Sequence, residues 1–259
     1  MNAHEHPGYT VDAHGVATLR IDQGGPLNII GSGTARALTE ALRRIGRDPA
    51  VRVAVLTGSG DKTFIGGADI QEMAALDPAS ARAFISDLHS LCEAARDLPV
   101  PSIARVRGWC IGIGLELAAS CDLRLASHDA QFVMPEVKIG IPSVIQGALL
   151  SRLVGEGRAR WLMLTGEPIG ADTAERWGLV NQVTPVDRLD DAIRQLASAM
   201  AAMGAAGMRA QKRVLRTGEA PHLDAAMRHS IELFGQAYET GEPATWMQAF
   251  LQRKKRSKG

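Results

Sequence analysis

Cysteine is scarce in this chain of 259 residues: Cys92, Cys110 and Cys121 are the three present, without CxxC spacing. An odd, sparse set argues against a disulfide framework and a zinc site, and for a reducing compartment, the cytoplasm by default. Net charge is scarce too. The 29 Lys and Arg nearly balance 28 Asp and Glu, leaving a formal charge of +1. Nothing in that balance draws the molecule toward nucleic acid or an anionic membrane. No apolar run approaches the ~18 residues of a membrane span. The opening MNAHEHPG has neither a basic n-region nor an apolar h-region. It reads as a flexible tail over residues 1–8 and not as a secretory signal. The seven histidines do not cluster at ligand spacing; His4 and His6 fall in that tail, and no metal is expected. Two motifs are missing as well: GxxxxGK[ST], which removes a P-loop, and GxSxG, which removes a nucleophile elbow.

What is present is 46% hydrophobic and 22% charged residues, enough for one large or two small globular domains with a sizeable core. Strand and helix patterns alternate. Residues 9–12 and 16–21 flank Ala13-His14-Gly15 and read as a hairpin. Ala35, Leu38, Ala41, Leu42 and Ile45 share one helical face. Residues 51–57 read as a strand apolar on both faces, 78–97 as a helix, and 102–106, 122–126 and 131–133 as strands. From Val144 the spacing turns helical: 145–154, 159–164 and 171–177, then a strand at 179–183, then helices over 187–203, 205–216, 221–238 and 243–252. The alternation predicts an α/β fold. No repeat with a period of roughly 20–50 residues stands out.

The most informative stretch is RGWCIGIGLELAASCDLRL, residues 107–125. It reads as a short strand, a glycine turn and a helix. Glu116 stands one turn into an otherwise apolar helix, where a carboxylate is costly unless it has a partner or a task. The N–H groups opening that helix are unpaired donors that favour negative charge. A glycine turn whose acid escapes to solvent is the other reading. Residues 64–73 carry the pair Gly66-Gly67 and then Asp69, placed to cap a short helix. Glu136, between Pro135 and Val137, is a second acid in an apolar run, for which a surface pair with Lys138 is the alternative. A dinucleotide fingerprint at Gly112-Ile113-Gly114 is disfavoured: its third glycine position holds Leu117, and Glu116 would crowd a pyrophosphate. Two carboxylates with separated pKa values can run acid–base chemistry, and donors at a glycine turn can hold an oxyanion. Together they suit the addition or removal of water across a double bond beside a carbonyl. Spacing alone does not bring the two acids together.

FIGGADIQEM (64–73), RGWCIGIGLELAASCDLRLA (107–126) and AQFVMPEVKIGIP (130–142), in this order and spacing, resemble the crotonase, or enoyl-CoA hydratase/isomerase, superfamily. LTGEPIGADTAERWGLVNQVTP (164–185) and MQAFLQRKKR (247–256) resemble its later segments, so the resemblance covers nearly the whole chain from Tyr9. It implies a crotonase spiral of ββα units over 9–190 and an α-helical C-terminal region over 191–259 that builds a homotrimer or a dimer of trimers. It implies an acyl-CoA thioester as substrate, with coenzyme A as part of that substrate and no permanently bound cofactor. Glu116 and Glu136 match the two catalytic glutamates of hydratases that interconvert 2-enoyl-CoA and 3-hydroxyacyl-CoA. The backbone N–H groups of Ala68 and Ile113 match the oxyanion hole. Pro26, Leu27, Ile29, Ala68, Asp69, Ile70 and Gln71 fall on the CoA side, and Gly112 and Gly114 in the turn at the substrate. Phe250 and Arg253, in this or a neighbouring subunit, match positions near the CoA end. Superfamily members with other chemistry often lack one of the glutamates. Having both favours a hydratase over a double-bond isomerase or a catalytically weak CoA-thioester-binding protein.

Three positions depart from the family pattern. Ile113 stands where glycine is usual; a β-branched residue is strained at positive φ, so a negative φ is expected there, with a side chain that narrows the acyl pocket. Residues 140–145, GIPSVI, are one residue shorter than usual and lack the glycine-rich run, beside Glu136, where water and acyl group must be placed. No basic residue stands at Gly24-Gly25, where many relatives place one near the CoA phosphates, so Arg or Lys elsewhere must take that part.

Overall fold

A computed structural model of the chain describes residues 8–23, 25–217 and 221–256. The expected tail, Gly8 apart, lies outside the described residues, as does Gly24. The first elements are an antiparallel pair, β1 (Tyr9–Val11) and β2 (Val16–Ile21). Asp12 ties their turn by accepting the N–H groups of His14 and Val16 at 2.8 and 2.9 Å. Helix α1 (Ser32–Arg47) buries the predicted face from Ala35 to Ile45.

A recurring unit follows: one strand for a large sheet, the next for a small sheet, then helix. The first such unit is β3 (Val53–Gly58), β4 (Thr63–Ile65), the short α2 (Ile70–Met73) and the long α3 (Pro78–Arg96). The second is β5 (Ser102–Val106), β6 (Trp109–Ile111) and α4 (Ile113–Ser120). The third is β7 (Leu123–Ser127), β8 (Gln131–Val133), a 3-10 turn (Glu136–Ile139), α5 (Gly147–Val154) and α6 (Glu156–Thr165). Strand β9 (Ile169–Gly170), α7 (Ala171–Arg176) and β10 (Gln182–Thr184) complete the sheets. Helices α8 (Leu189–Ala201), α9 (Ala205–Thr217), α10 (Pro221–Glu239) and α11 (Glu242–Arg256) follow.

The large sheet has the order β1-β2-β3-β5-β7-β10 and is parallel from β2 onward; the small one, β4-β6-β8-β9, is parallel except at β9. From β3 to β8 successive strands go to alternate sheets, so the chain winds as a spiral of ββα units. No sequence period announces it, because β3, β5 and β7 begin at 53, 102 and 123: the long α3 occupies the first interval alone. Ala54 and Leu56 of β3 belong to the main core, with α1 and α3. Val53 and Val55 belong to a second cluster with Leu189, Ile193 and Ala197 of α8. Helices on both faces of central parallel strands explain why 53–57 is apolar without alternation.

Three local readings change. The helix expected from residue 145 starts at Gly147, because Ile145 takes φ 40. The strand expected over 179–183 is β10, three residues from Gln182. Strand β9 has two residues, too few to leave an alternation in the sequence. No helix among the described residues is long and apolar enough to cross a membrane. The three cysteines are buried and unpaired.

Candidate active site

The chain passes from β6 into α4 within one residue. Gly112 makes that turn at φ 53, a conformation that side chains rarely adopt. Its N–H donates to Val133 O at 2.9 Å, and its carbonyl accepts the N–H of Glu116 at 3.0 Å. Ile113 is then the first helical residue, and its N–H has no acceptor one turn back. Among the described non-glycine residues, positive φ occurs at Asn28 and Ile145. Ile113 thus avoids the left-handed region, as expected of a β-branched residue, because the glycine before it carries the turn. Gly114 does not join the site: a Cβ there would lie 2.7 Å from Ile65 O, so its small size lets α4 lie against β4.

Glu116 is 5% exposed, and its Oε1 accepts the N–H of Gly147 at 2.9 Å. Burial holds its carboxyl well above the usual range, and the charge of Glu136 adds to the effect. The Gly147 N–H pulls the other way. Glu136 opens the 3-10 turn after β8. Its Oε2 accepts the Ser143 hydroxyl at 2.9 Å. Burial pushes its pKa up to about 7, against its own backbone N–H and Ser143. Lys138, the alternative partner, pairs instead with Glu167 at 2.8 Å. A Cβ on Gly112 would come within 2.5 Å of Glu136 Oε1. The glycine is needed for the turn and also for the room the second acid occupies.

Both glutamates line one small inner cavity of about 80 Å³, with Gly112, Ile113 and an apolar wall that includes Phe84, Leu88, Ile141 and Phe234. An outer groove of about 600 Å³ is lined by Leu27, Ile29, Asp69, Gln71 and Phe250. Gly66, Ala68, Ile70 and Ile111 belong to both and form the throat between them. Ala68 is set there by Ile30, which donates to Gly67 O at 3.0 Å and accepts the Asp69 N–H at 2.9 Å. That pairing leaves out the N–H of Ala68 itself. Asp69 caps α2 as expected, accepting the N–H groups of Gln71 and Glu72 at 2.8 and 3.2 Å. The side chain of Asn28 fastens the strip before α1: Nδ2 donates to Ser59 O, Thr63 O and Phe64 O at 3.0–3.2 Å, and Oδ1 accepts from Ser59 Oγ at 2.8 Å.

Of the positions expected on the CoA side, Leu27, Ile29, Ala68, Asp69, Ile70, Gln71 and Phe250 meet at the groove. Phe250 reaches it within the same chain, since α11 packs on α2 and on the turn that carries Glu136. Pro26 is exposed and Arg253 lies exposed near the end of α11; neither lines the groove. Sequence reasoning missed Gly66, Ile111, Ser143, Gly147 and the wall residues. Gly147 acts through its backbone and Phe234 arrives from α10, so neither leaves a local signal. Ser143 sits in the segment 140–145 already marked as irregular.

The profile of the family described as enoyl-CoA hydratase/isomerase matches residues 12–258. A crotonyl-CoA hydratase of Syntrophomonas wolfei subsp. wolfei is 35% identical over 241 residues, 93% of each chain. A short-chain-enoyl-CoA hydratase of Clostridium acetobutylicum is 34% identical over 241 residues, 93% of this chain and 92% of that one. Among solved structures, an enoyl-CoA hydratase from Mycobacterium avium subsp. paratuberculosis superposes with a TM-score of 0.83 over 95% of both chains, at 27% identity. A ββα spiral, a matching profile over nearly its full length and relatives above 30% identity make this chain an enzyme of the enoyl-CoA hydratase/isomerase family, in the crotonase superfamily.

Proposed function

We propose that this protein adds water reversibly across the double bond of a 2-enoyl-CoA to give a 3-hydroxyacyl-CoA. The observation that carries the reading is the pair of carboxylates, buried Glu116 and half-buried Glu136, on one apolar cavity behind the throat at Ala68. The thioester carbonyl sits at that throat and accepts the N–H groups of Ala68 and Ile113, the two donors that the surrounding pairing leaves over. As water attacks C3, negative charge moves onto that oxygen, where fixed donors in a dry site are most effective. One carboxylate, ionised, takes a proton from the water; the other, protonated, delivers one to C2. The hydroxyl ends on C3 and the hydrogen on C2, and elimination runs the same steps backward. Burial raises both carboxyls, and the charge of Glu136 raises Glu116 further, which favours a pair that holds one proton and one charge, as this addition requires.

The CoA portion lies in the outer groove against Leu27, Ile29, Gln71 and Phe250, with Arg253 as the nearby cation in place of the one absent at Gly24-Gly25. The small cavity and the crotonyl-CoA and short-chain relatives support a short acyl group. Residues 9–190 form the catalytic core, and residues 191–259 build a homotrimer or a dimer of trimers. Exposed Val214, Leu215 and Trp246 on the C-terminal helices support such an interface. Buried, unpaired cysteines fit a cytoplasmic setting.

Hydration of crotonyl-CoA, followed by loss of enoyl absorbance, tests the reading. Glu116→Gln and Glu136→Gln are each expected to lower kcat by ~100-fold or more. Full activity in both variants would overturn the mechanism. Product analysis with a 3-enoyl-CoA separates hydration from double-bond migration.

A further inference from the structure

The loop between the 3-10 turn and α5 reaches both glutamates. Ser143 donates its hydroxyl to Glu136 Oε2 at 2.9 Å. Gly147 shares its N–H between Glu116 Oε1 at 2.9 Å and Val144 O at 2.8 Å. Ile145 lies between them, fully buried, at φ 40. A β-branched residue is strained in that region and persists there only when its surroundings impose it. The constraint comes from α10. Ser230 Oγ accepts the N–H of Ile145 at 2.7 Å and donates its own proton to Met227 O at 2.6 Å. The following residue is held from α3: buried Gln146 donates to Glu93 Oε1 at 2.8 Å and contacts His89 Nδ1.

We propose that Ser143 and Ser230 are positioning residues of the acid pair: Ser230 locks Ile145 in the left-handed conformation, and that lock aims Ser143 Oγ at Glu136 and the Gly147 N–H at Glu116. The kinetic consequences rest on the hydratase reading; the geometry does not. Without Ser230 the buried N–H of Ile145 loses its acceptor and the strained φ loses its restraint. The loop then relaxes toward an ordinary φ, and a rotation at residue 145 turns the donors on either side of it. The Ser143 hydroxyl favours ionised Glu136 and so opposes burial. Its removal raises the pKa of Glu136 further, whichever protonation state the reaction uses. The charged group facing Glu136 across the cavity is Glu116. On its own turn Lys138 is held by Glu167, and α11 lays the backbone carbonyl of Glu242 over Gly140. None of these side chains is a hydrogen-bond partner of Ser143 or Ser230.

The test combines carboxyl ¹³C NMR titration of Glu136 with the pH profile of crotonyl-CoA hydration, in the full chain. Ser143→Ala is expected to raise the Glu136 midpoint by about half to one pH unit. The corresponding limb of the profile should rise with it, and kcat should fall ~10-fold with KM little changed. Ser143→Thr, which keeps the hydroxyl, should restore both. Ser230→Ala should give the same upward shift although it touches neither glutamate, and Ser230→Thr should cancel it. Ile145→Gly makes the lock unnecessary, so Ser230→Ala should reduce kcat less in that background. An unmoved midpoint in both alanine variants, or an equal loss from Ser230→Ala in both backgrounds, overturns the proposal. Absence of turnover in the unsubstituted protein would overturn the hydratase reading alone, since the NMR midpoints still decide the role of the loop.

Discussion

Gly112 answers to two independent demands, its φ of 53 and the 2.5 Å between a notional Cβ and Glu136 Oε1. Gly112→Ala strains the backbone and pushes the carboxylate aside. Because the outer groove is untouched, kcat for crotonyl-CoA should drop ~100-fold while KM stays within a few-fold. Steady-state kinetics check this, and an unchanged kcat would mean that Glu136 does not act from its present place. At this scale the sequence is legible where a residue breaks a rule. Glu116 is conspicuous as an acid in an apolar helix, and branching makes positive φ strained for Ile113. Ser143 breaks no rule. A serine in a loop satisfies its hydroxyl anywhere, and only the folded chain shows the partner to be Glu136.

Among the elements, the strip before α1 depends most on a single side chain. Asn28 adopts φ 48, which asparagine tolerates better than most residues. Its amide nitrogen donates to three carbonyls around β4 and the turn before it. Asn28→Asp replaces that donor with an acceptor facing three acceptors in a buried place. It should cost about 3 kcal/mol, read by urea unfolding. Activity should fall further than the folded fraction explains, since the same strip holds Gly67 and Asp69 on either side of Ala68. Helices and strands long enough to show a period were legible in advance: α1, α3 and the central strands lie within a few residues of their predicted bounds. The errors fall where long-range contacts decide. Helix α5 starts two residues late because a hydroxyl on α10 takes the N–H of Ile145, a contact that no local pattern encodes.

For the whole molecule, two acids held above their ordinary 4.5 make stability depend on pH. Below that value neither the folded nor the unfolded chain carries charge at these positions, and they cost nothing. As pH rises past 4.5 the unfolded chain ionises first, so stability falls. The loss is complete for each acid once pH passes its folded pKa, about 7 for Glu136 and well above 4.5 for Glu116. Glu116→Gln should therefore melt above the parent at pH 8, by ~3 °C or more, with the difference shrinking toward pH 4. Thermal unfolding across that range checks it, and a variant less stable than its parent at pH 8 would show that the charge is compensated.

By itself the sequence determined the α/β class, the glycine turn with its acid, the cap at Asp69 and, by resemblance, the family. These depend on local preferences or on motifs that survive in order along the chain. Only the tertiary structure decided that Glu116 and Glu136 share one cavity with Ala68 and Ile113, that Ser143 bonds Glu136, and that Ser230 bonds the N–H of Ile145. Such relations join residues from different turns of the spiral, and chain spacing carries no record of which of them meet.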